Sequence, residues 1–151
     1  SIVKGFTDQL MKLYEEKCLN LRIRMPITNT NNERNFITKI VNYEKICSIP
    51  NSMTVLPELL PIALNLMKYG HTGTFNLTNP GLISHNEILS LYKEIVNKDF
   101  TWENFTTEEQ NKILDSKRSN NYLDTTKLEK LYPNVKNIKV SIKEILLKYN
   151  N

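Results

Sequence analysis

The sequence predicts an α/β fold: the C-terminal part of an open sheet, left incomplete, carrying a mostly helical cap. Three observations lead there. Short runs with strand character near residues 19–25, 45–49 and 73–78 alternate with stretches of helical spacing in the first half of the chain. Helical patterns dominate from Ser84 onward. No glycine-rich phosphate loop is present, because the four glycines are Gly5, Gly70, Gly73 and Gly81. Without that loop no strand–helix turn can cradle a pyrophosphate, so the chain is not a complete Rossmann unit.

Ile2, Phe6, Leu10 and Leu13 fall on one stripe, and residues 2–16 read as an amphipathic helix. Leu19, Leu21, Ile23 and Met25 alternate with polar residues, the mark of a strand that Pro26 ends. Thr28 to Asn32 is a polar loop, and Phe36, Ile37, Ile40 and Val41 mark a short helix. Lys45 to Ile49 reads as a strand. A helix follows over 57–69, with Pro57 tolerated in its first turn and Gly70 as its stop. Gly73 to Thr78 is a third strand, closed by the turn Asn79-Pro80-Gly81. Ser84 with Glu87 forms a capping box, and Thr106 with Glu109 and Ser141 with Glu144 repeat it ahead of two later helices. One more helix begins near Asp124, and Phe100, Trp102 and Phe105 form an aromatic staple of the cap.

At 151 residues the chain has the size of one domain and can bury a real core. The net charge of +4 is spread along the chain without a basic cluster interleaved with aromatics, so nucleic acid is not an expected partner. No apolar run approaches the roughly 18–20 residues a membrane span needs, so no membrane partner is expected either. Cys18 and Cys47 have no metal-like spacing and read as buried thiols in a reducing, cytoplasmic compartment. His71 and His85 lack acidic ligands at useful spacing, so no metal site is assigned.

Five blocks carry a resemblance. They are Leu21-Arg22-Ile23-Arg24-Met25-Pro26-Ile27, Arg34 to Ile40, Ile49 to Val55, Phe75 to Gly81 leading into Ser84 to Leu89, and Arg118 to Asp124 with Lys127-Leu128. With Lys4 near the start of the first helix, they resemble the C-terminal half of an extended short-chain dehydrogenase/reductase. Within that family they are similar to the bifunctional nucleotide-4-keto-6-deoxyglucose 3,5-epimerase/4-reductases of rhamnose synthesis. The resemblance implies a Rossmann-type fold with a helical substrate-binding cap. Residues 1–50 would hold the lysine helix and the strand after it, and 51–151 the substrate-binding portion.

The resemblance also implies roles. Lys4 would be the lysine of a Tyr-x-x-x-Lys pair, binding the nicotinamide ribose and lowering the tyrosine pKa. Its tyrosine would fall immediately before Ser1. Lys39 matches an epimerase acid/base. Met25, Pro26 and Ile27 would flank the cofactor, NADPH or NADH, most of whose site lies in a missing N-terminal half. Asn35, Phe36, Met53, Thr54 and Val55 would line the sugar-nucleotide cleft, with Arg118 neutralising a diphosphate and Asn121 beside it. The expected activity is conversion of UDP- or dTDP-4-keto-6-deoxyglucose to the L-rhamnose nucleotide, by a longer enzyme of which this chain alone is inactive. A homodimer is compatible with the family. The alternative is a non-catalytic sugar-nucleotide-binding or regulatory subunit on the same half-fold.

Overall fold

A computed structural model describes residues 2–116 and 121–149. Helix α1 (Ile2–Lys12) is followed by β1 (Leu19–Arg22), β2 (Pro26–Ile27), α2 (Phe36–Val41), β3 (Lys45–Ile46) and β4 (Thr54–Val55). Then come α3 (Leu56–Lys68), β5 (Gly73–Asn76), α4 (His85–Ile95), β6 (Glu103–Asn104), α5 (Thr107–Ser116), α6 (Thr126–Leu131) and α7 (Ile138–Leu147). This is a mixed α/β domain whose strands form short parallel ladders: β1 with β5, β2 with β4, and β3 with β6. Every one of these ladders joins a strand from residues 1–50 to one from 51–151.

The single strand expected over 19–25 is instead two strands with different partners. Leu19 to Arg22 pair with Gly73 to Asn76, and Leu77 N–H still donates to Arg22 O. From Arg24 onward the partner is β4, with Thr54 N–H donating to Arg24 O. Met25 absorbs the change with φ of 45°, a left-handed conformation that non-glycine residues seldom adopt. Pro26 therefore opens the second strand, where its missing N–H is tolerated, and does not simply end the first.

Local signals set most helix ends. Ser84 Oγ accepts from Glu87 N–H while Glu87 Oε2 accepts from Ser84 N–H, the expected capping box, and Thr106 and Glu109 exchange the same pair. Gly70, at φ 68°, closes α3 as His71 N–H bonds Leu66 O and Gly70 N–H bonds Met67 O. The third expected box is absent. Asn137 caps α7, and Ser141 lies buried inside that helix, bonded to Glu58. The aromatic staple is also rearranged: Phe100 stacks on Trp102 and meets Tyr92 edge-on, whereas Phe105 sits under the Lys45 ammonium.

Two apolar clusters hold these elements. One gathers Ile27, Ile37, Ile40, Ile46, Met53, Ile88, Leu89, Ile138 and Ile142 from both halves of the chain. The other packs Leu59, Ala63 and Leu66 of α3 against Phe75, Leu77 and Leu128. Cys18 and Cys47 are half-buried, less enclosed than expected. Among the described residues no helix is long and apolar enough to cross a membrane.

Helix α1 stands apart. None of its residues is buried, and its apolar stripe is bare, with Ile2 88% and Phe6 66% exposed. It is tied down by polar contacts: Arg22 grips Asp8 through Nε (2.7 Å) and Nη2 (2.5 Å), and Asn20 Nδ2 adds a bond at 2.7 Å. The hydrogen-bonded Arg22 guanidinium lowers the Asp8 pKa from 3.8 to about 2. A depressed carboxyl pKa stabilises the fold above the unfolded value and loses that contribution as pH falls through the folded one. In an acid titration followed by hydrogen exchange, protection of the α1 amides should fall between about pH 4 and pH 2, ahead of the core. The Asp8→Asn variant should show weakened α1 protection already at neutral pH and no such step; an unchanged step would assign it elsewhere.

Candidate functional site

Of the residues nominated by sequence, Thr54 and Asn121 meet around the bend at Met25. Thr54, fully buried, is the knot beneath it. Its Oγ1 donates to Leu77 O at 2.8 Å and accepts from Arg24 N–H at 3.0 Å. The Arg24 side chain then reaches across to two amides, Nη2 donating to Asn51 Oδ1 (2.8 Å) and Asn121 Oδ1 (3.0 Å). Asn51 is held in turn through Nδ2 to Ile49 O and by a backbone bridge to Ile83. Ser52 N–H donates to Asn121 O, and Ser52 Oγ accepts from Leu123 N–H, so the 121–123 segment is sewn onto residues 51–52. Arg118 lies outside the described residues.

A second group forms around Asn35, which is 2% exposed. Its Oδ1 accepts from Thr28 N–H and Ile37 N–H, and its Nδ2 donates to Thr28 O and Thr30 O. Both amide hydrogens and both lone pairs are thereby used within the protein. Asn35 shapes the 28–30 loop and caps α2. Phe36 is buried edge-on against His85, whose pKa is held below its ordinary value by burial. Lys39 lies in the last turn of the same helix with its side chain in solvent.

Lys4 belongs to a different wall. It is exposed on α1 and borders an open cleft of about 520 Å³ whose other lining includes Asp8, Met11, Asn20, Arg22 and Ile23. The cleft thus ends two residues short of Met25. Met25 and Pro26 are half-buried, while the Ile27 side chain is sealed in the core and has only its backbone to offer. Met53 and Thr54 are likewise fully enclosed. Val55, nearly buried, contributes to a separate cavity of about 390 Å³ with Asn29, Pro57, Glu58 and Lys148.

That second cavity rests on a polar cluster that sequence reasoning missed. Buried Asn79 accepts from Val55 N–H and donates through Nδ2 to Glu58 Oε2 (2.9 Å), Lys136 O (3.1 Å) and Ser141 Oγ (3.1 Å). Ser141 Oγ donates to the same Glu58 oxygen at 2.5 Å, and Lys136 N–H to the other at 2.7 Å. The cluster satisfies itself and fixes the Asn79-Pro80-Gly81 turn. Gly81 is needed there, since a Cβ would sit 2.6 Å from the Asn137 side chain and φ is 88°. Its signal in the sequence, Ser141 three residues before Glu144, is the one that imitates a capping box.

The fit to a dinucleotide can be tested on these residues. Lys4 borders the open cleft beside α1, whose lining stops at Ile23, so Lys4 and the Met25–Pro26 backbone do not share one wall. Gly73 and Gly81 are committed to tight packing against Lys127 and Asn137, so neither serves a phosphate loop. Of the residues nominated for the cofactor, only Lys4 lies on that cleft. Among the described residues no group of three or more His, Cys, Asp or Glu is placed to hold a metal ion.

Comparison with known proteins finds similarity to longer proteins. No family model matches the chain. It is 55% identical over 148 residues to the uncharacterized protein L780 of Acanthamoeba polyphaga mimivirus, covering 98% of this chain and 51% of that protein. It is 51% identical over 150 residues to the bifunctional dTDP-4-dehydrorhamnose 3,5-epimerase/dTDP-4-dehydrorhamnose reductase of Arabidopsis thaliana, covering 99% and 48%. The crystal structure of the L780 UDP-rhamnose synthase from the same mimivirus superposes with a TM-score of 0.91 at 55% identity, over 98% of this chain and 52% of that one. The chain spans about half the length of these relatives.

The knot at Thr54 yields a direct test. Thr54→Val keeps the shape but strips the partner from Arg24 N–H and Leu77 O, and a buried orphaned group costs about 1–3 kcal/mol. Urea unfolding should show a loss of about 2–4 kcal/mol. A loss below about 0.5 kcal/mol would mean that water or a local shift satisfies both groups.

Proposed function

We propose that this chain is the substrate-side half of a nucleotide-sugar enzyme that turns UDP- or dTDP-4-keto-6-deoxyglucose toward the L-rhamnose nucleotide. The observation that carries this reading is the 55% identity and TM-score of 0.91, over nearly the whole chain, to a UDP-rhamnose synthase. Names of the plant relatives supply the two reaction types, 3,5-epimerisation and reduction. In this reading the fold is the C-terminal half of a Rossmann-type reductase, with residues 1–50 on the cofactor side and 51–151 on the substrate side. The bare stripe of α1 supports such a division, since a large exposed apolar face marks a surface normally covered.

Epimerisation is the step for which the chain carries its own candidate group. The C4 ketone makes the protons on C3 and C5 acidic; a base removes each from one face and an acid returns it on the other. Lys39 has the position and the exchangeable protons for that acid, on a helix held rigid by the Asn35 cap and the core contacts of Ile37 and Ile40. Its side chain stands in solvent. The opposing base belongs to the other half of the enzyme.

Reduction draws on Lys4. When bound, NADPH or NADH supplies hydride to C4. Lys4 would hold the ribose hydroxyls beside it, its charge favouring ionisation of the tyrosine that protonates the C4 oxygen. Met25 and Pro26 would bound the nicotinamide end through their main chain. Phe36, Met53, Thr54 and Val55 would support the sugar-nucleotide cleft from beneath, with Asn121 held above the Met25 bend.

The test is turnover of UDP-4-keto-6-deoxyglucose with NADPH, by this chain alone and by the full polypeptide. Activity confined to the full polypeptide is expected, and absence from both would overturn the reading. In D₂O the full polypeptide should incorporate deuterium at C3 and C5. Lys39→Met should slow that exchange by about 10²–10⁴-fold while UDP binding persists. Exchange at the unaltered rate would remove Lys39 from the mechanism.

A further inference from the structure

Arg24 is a cation for which the described part of the protein supplies no counter-charge. The other half-buried arginine of this strand, Arg22, is neutralised by Asp8. Arg24 meets only neutral oxygens, Asn51 Oδ1 and Asn121 Oδ1, and both bind a single nitrogen, Nη2. Its Nε is buried without a partner, and Nη1 makes no bond among the described residues. No carboxylate lies within 4.0 Å of it there. Desolvation works against its charge, yet a guanidinium remains protonated under any ordinary condition.

A burial cost of this kind is normally offset by an ion pair. Here the protein instead spends two well-ordered amides on fixing the direction of the guanidinium. Those amides come from residues 51 and 121, so Arg24 ties both to the Met25 bend. Backbone strain is concentrated at the adjacent residue, Met25, the one non-glycine residue with positive φ among those described. The Nη1 donors that no described residue engages, on a guanidinium fixed at a strained bend, suit an oxygen of an anion.

We propose that Arg24 is the anion anchor of the site, taking a phosphate of the bound ligand, with Asn51 and Asn121 setting its orientation. This rests on the reading above that the ligand is a nucleotide, whose diphosphate is the anion available. The same chemistry is offered by the nucleotide-sugar and by the dinucleotide. Arg24 stands between the segments assigned to each, Met25–Pro26 on one side and Asn121 on the other.

The experiment measures equilibrium binding of UDP, uridine and NADP⁺ to the full polypeptide, for the natural protein and for Arg24→Met and Arg24→Lys. Loss of a charge-assisted bond should weaken the phosphate-bearing ligand about 10- to 100-fold in Arg24→Met. Uridine, which has no phosphate, should bind unchanged, and Arg24→Lys should recover part of the loss. A loss confined to UDP assigns the anchor to the sugar nucleotide, and one confined to NADP⁺ assigns it to the cofactor. The proposal is overturned if neither ligand weakens, or if uridine weakens in step with UDP, the mark of a merely structural arginine. Thermal melting of both variants identifies a folding defect, and Arg24→Lys then carries the comparison. A protein that binds UDP through Arg24 yet never turns over the 4-keto sugar would sink the proposed function and leave this anchor standing.

Discussion

The architecture turns on one buried hydroxyl. A strand that changes partner mid-course must orphan main-chain groups on both sides of the change, and Thr54 Oγ1 closes that gap by bonding Arg24 N–H and Leu77 O together. Its own N–H adds a third link, to Arg24 O. An apolar residue of equal size would fill the volume and leave a buried donor and a buried acceptor unmet, each costing more than a typical net hydrogen bond contributes. From this knot follow the turn at Met25 and the short β2–β4 ladder that seats Ile27 in the core.

Stability is distributed unevenly around that knot. The two apolar clusters draw on both halves of the sequence and bind the central ladders and α2, α3, α4 and α7 together. Helix α1 contributes nothing to either cluster. Its attachment is the Asp8–Arg22–Asn20 cluster, partly exposed and so worth little more than a surface ion pair. A helix with a strong apolar stripe and no buried residue is matched to a surface that these residues do not provide. The relatives that the chain matches are about twice its length.

How much was legible in the sequence depended on whether the deciding contact was local. The Ser84–Glu87 and Thr106–Glu109 boxes and the Gly70 stop were readable because all their partners lie within five residues. Ser141 with Glu144 shows the same spacing, but Glu58, 83 residues away, claims the serine. The period-two run over 19–25 was genuine, yet alternation describes one strand's faces and says nothing of which neighbour it pairs with. The switch from β5 to β4 was therefore invisible, as was Asn79, whose partners come from three separate segments. The positions of the site residues were readable only through resemblance to known enzymes, since no spacing rule links Lys4, Lys39 and Asn121.

The structure adds a criterion that resemblance lacks, namely whether a group has bonding capacity left to spend. Asn35 has none: four internal hydrogen bonds exhaust its amide, so its influence on a ligand runs through the 28–30 loop and the axis of α2. Thr54 is spent in the same way, and Ile27 and Met53 are sealed off. These residues build the site. Lys4 and Lys39 stand in solvent, and Arg24 retains nitrogens that no described residue engages. A functional group in the first class can be replaced by anything that preserves the scaffold. One in the second class keeps donors that the scaffold does not use. By that measure the groups with capacity left to spend are cations: Lys4 on α1, Lys39 on α2, and Arg24 between β1 and β2.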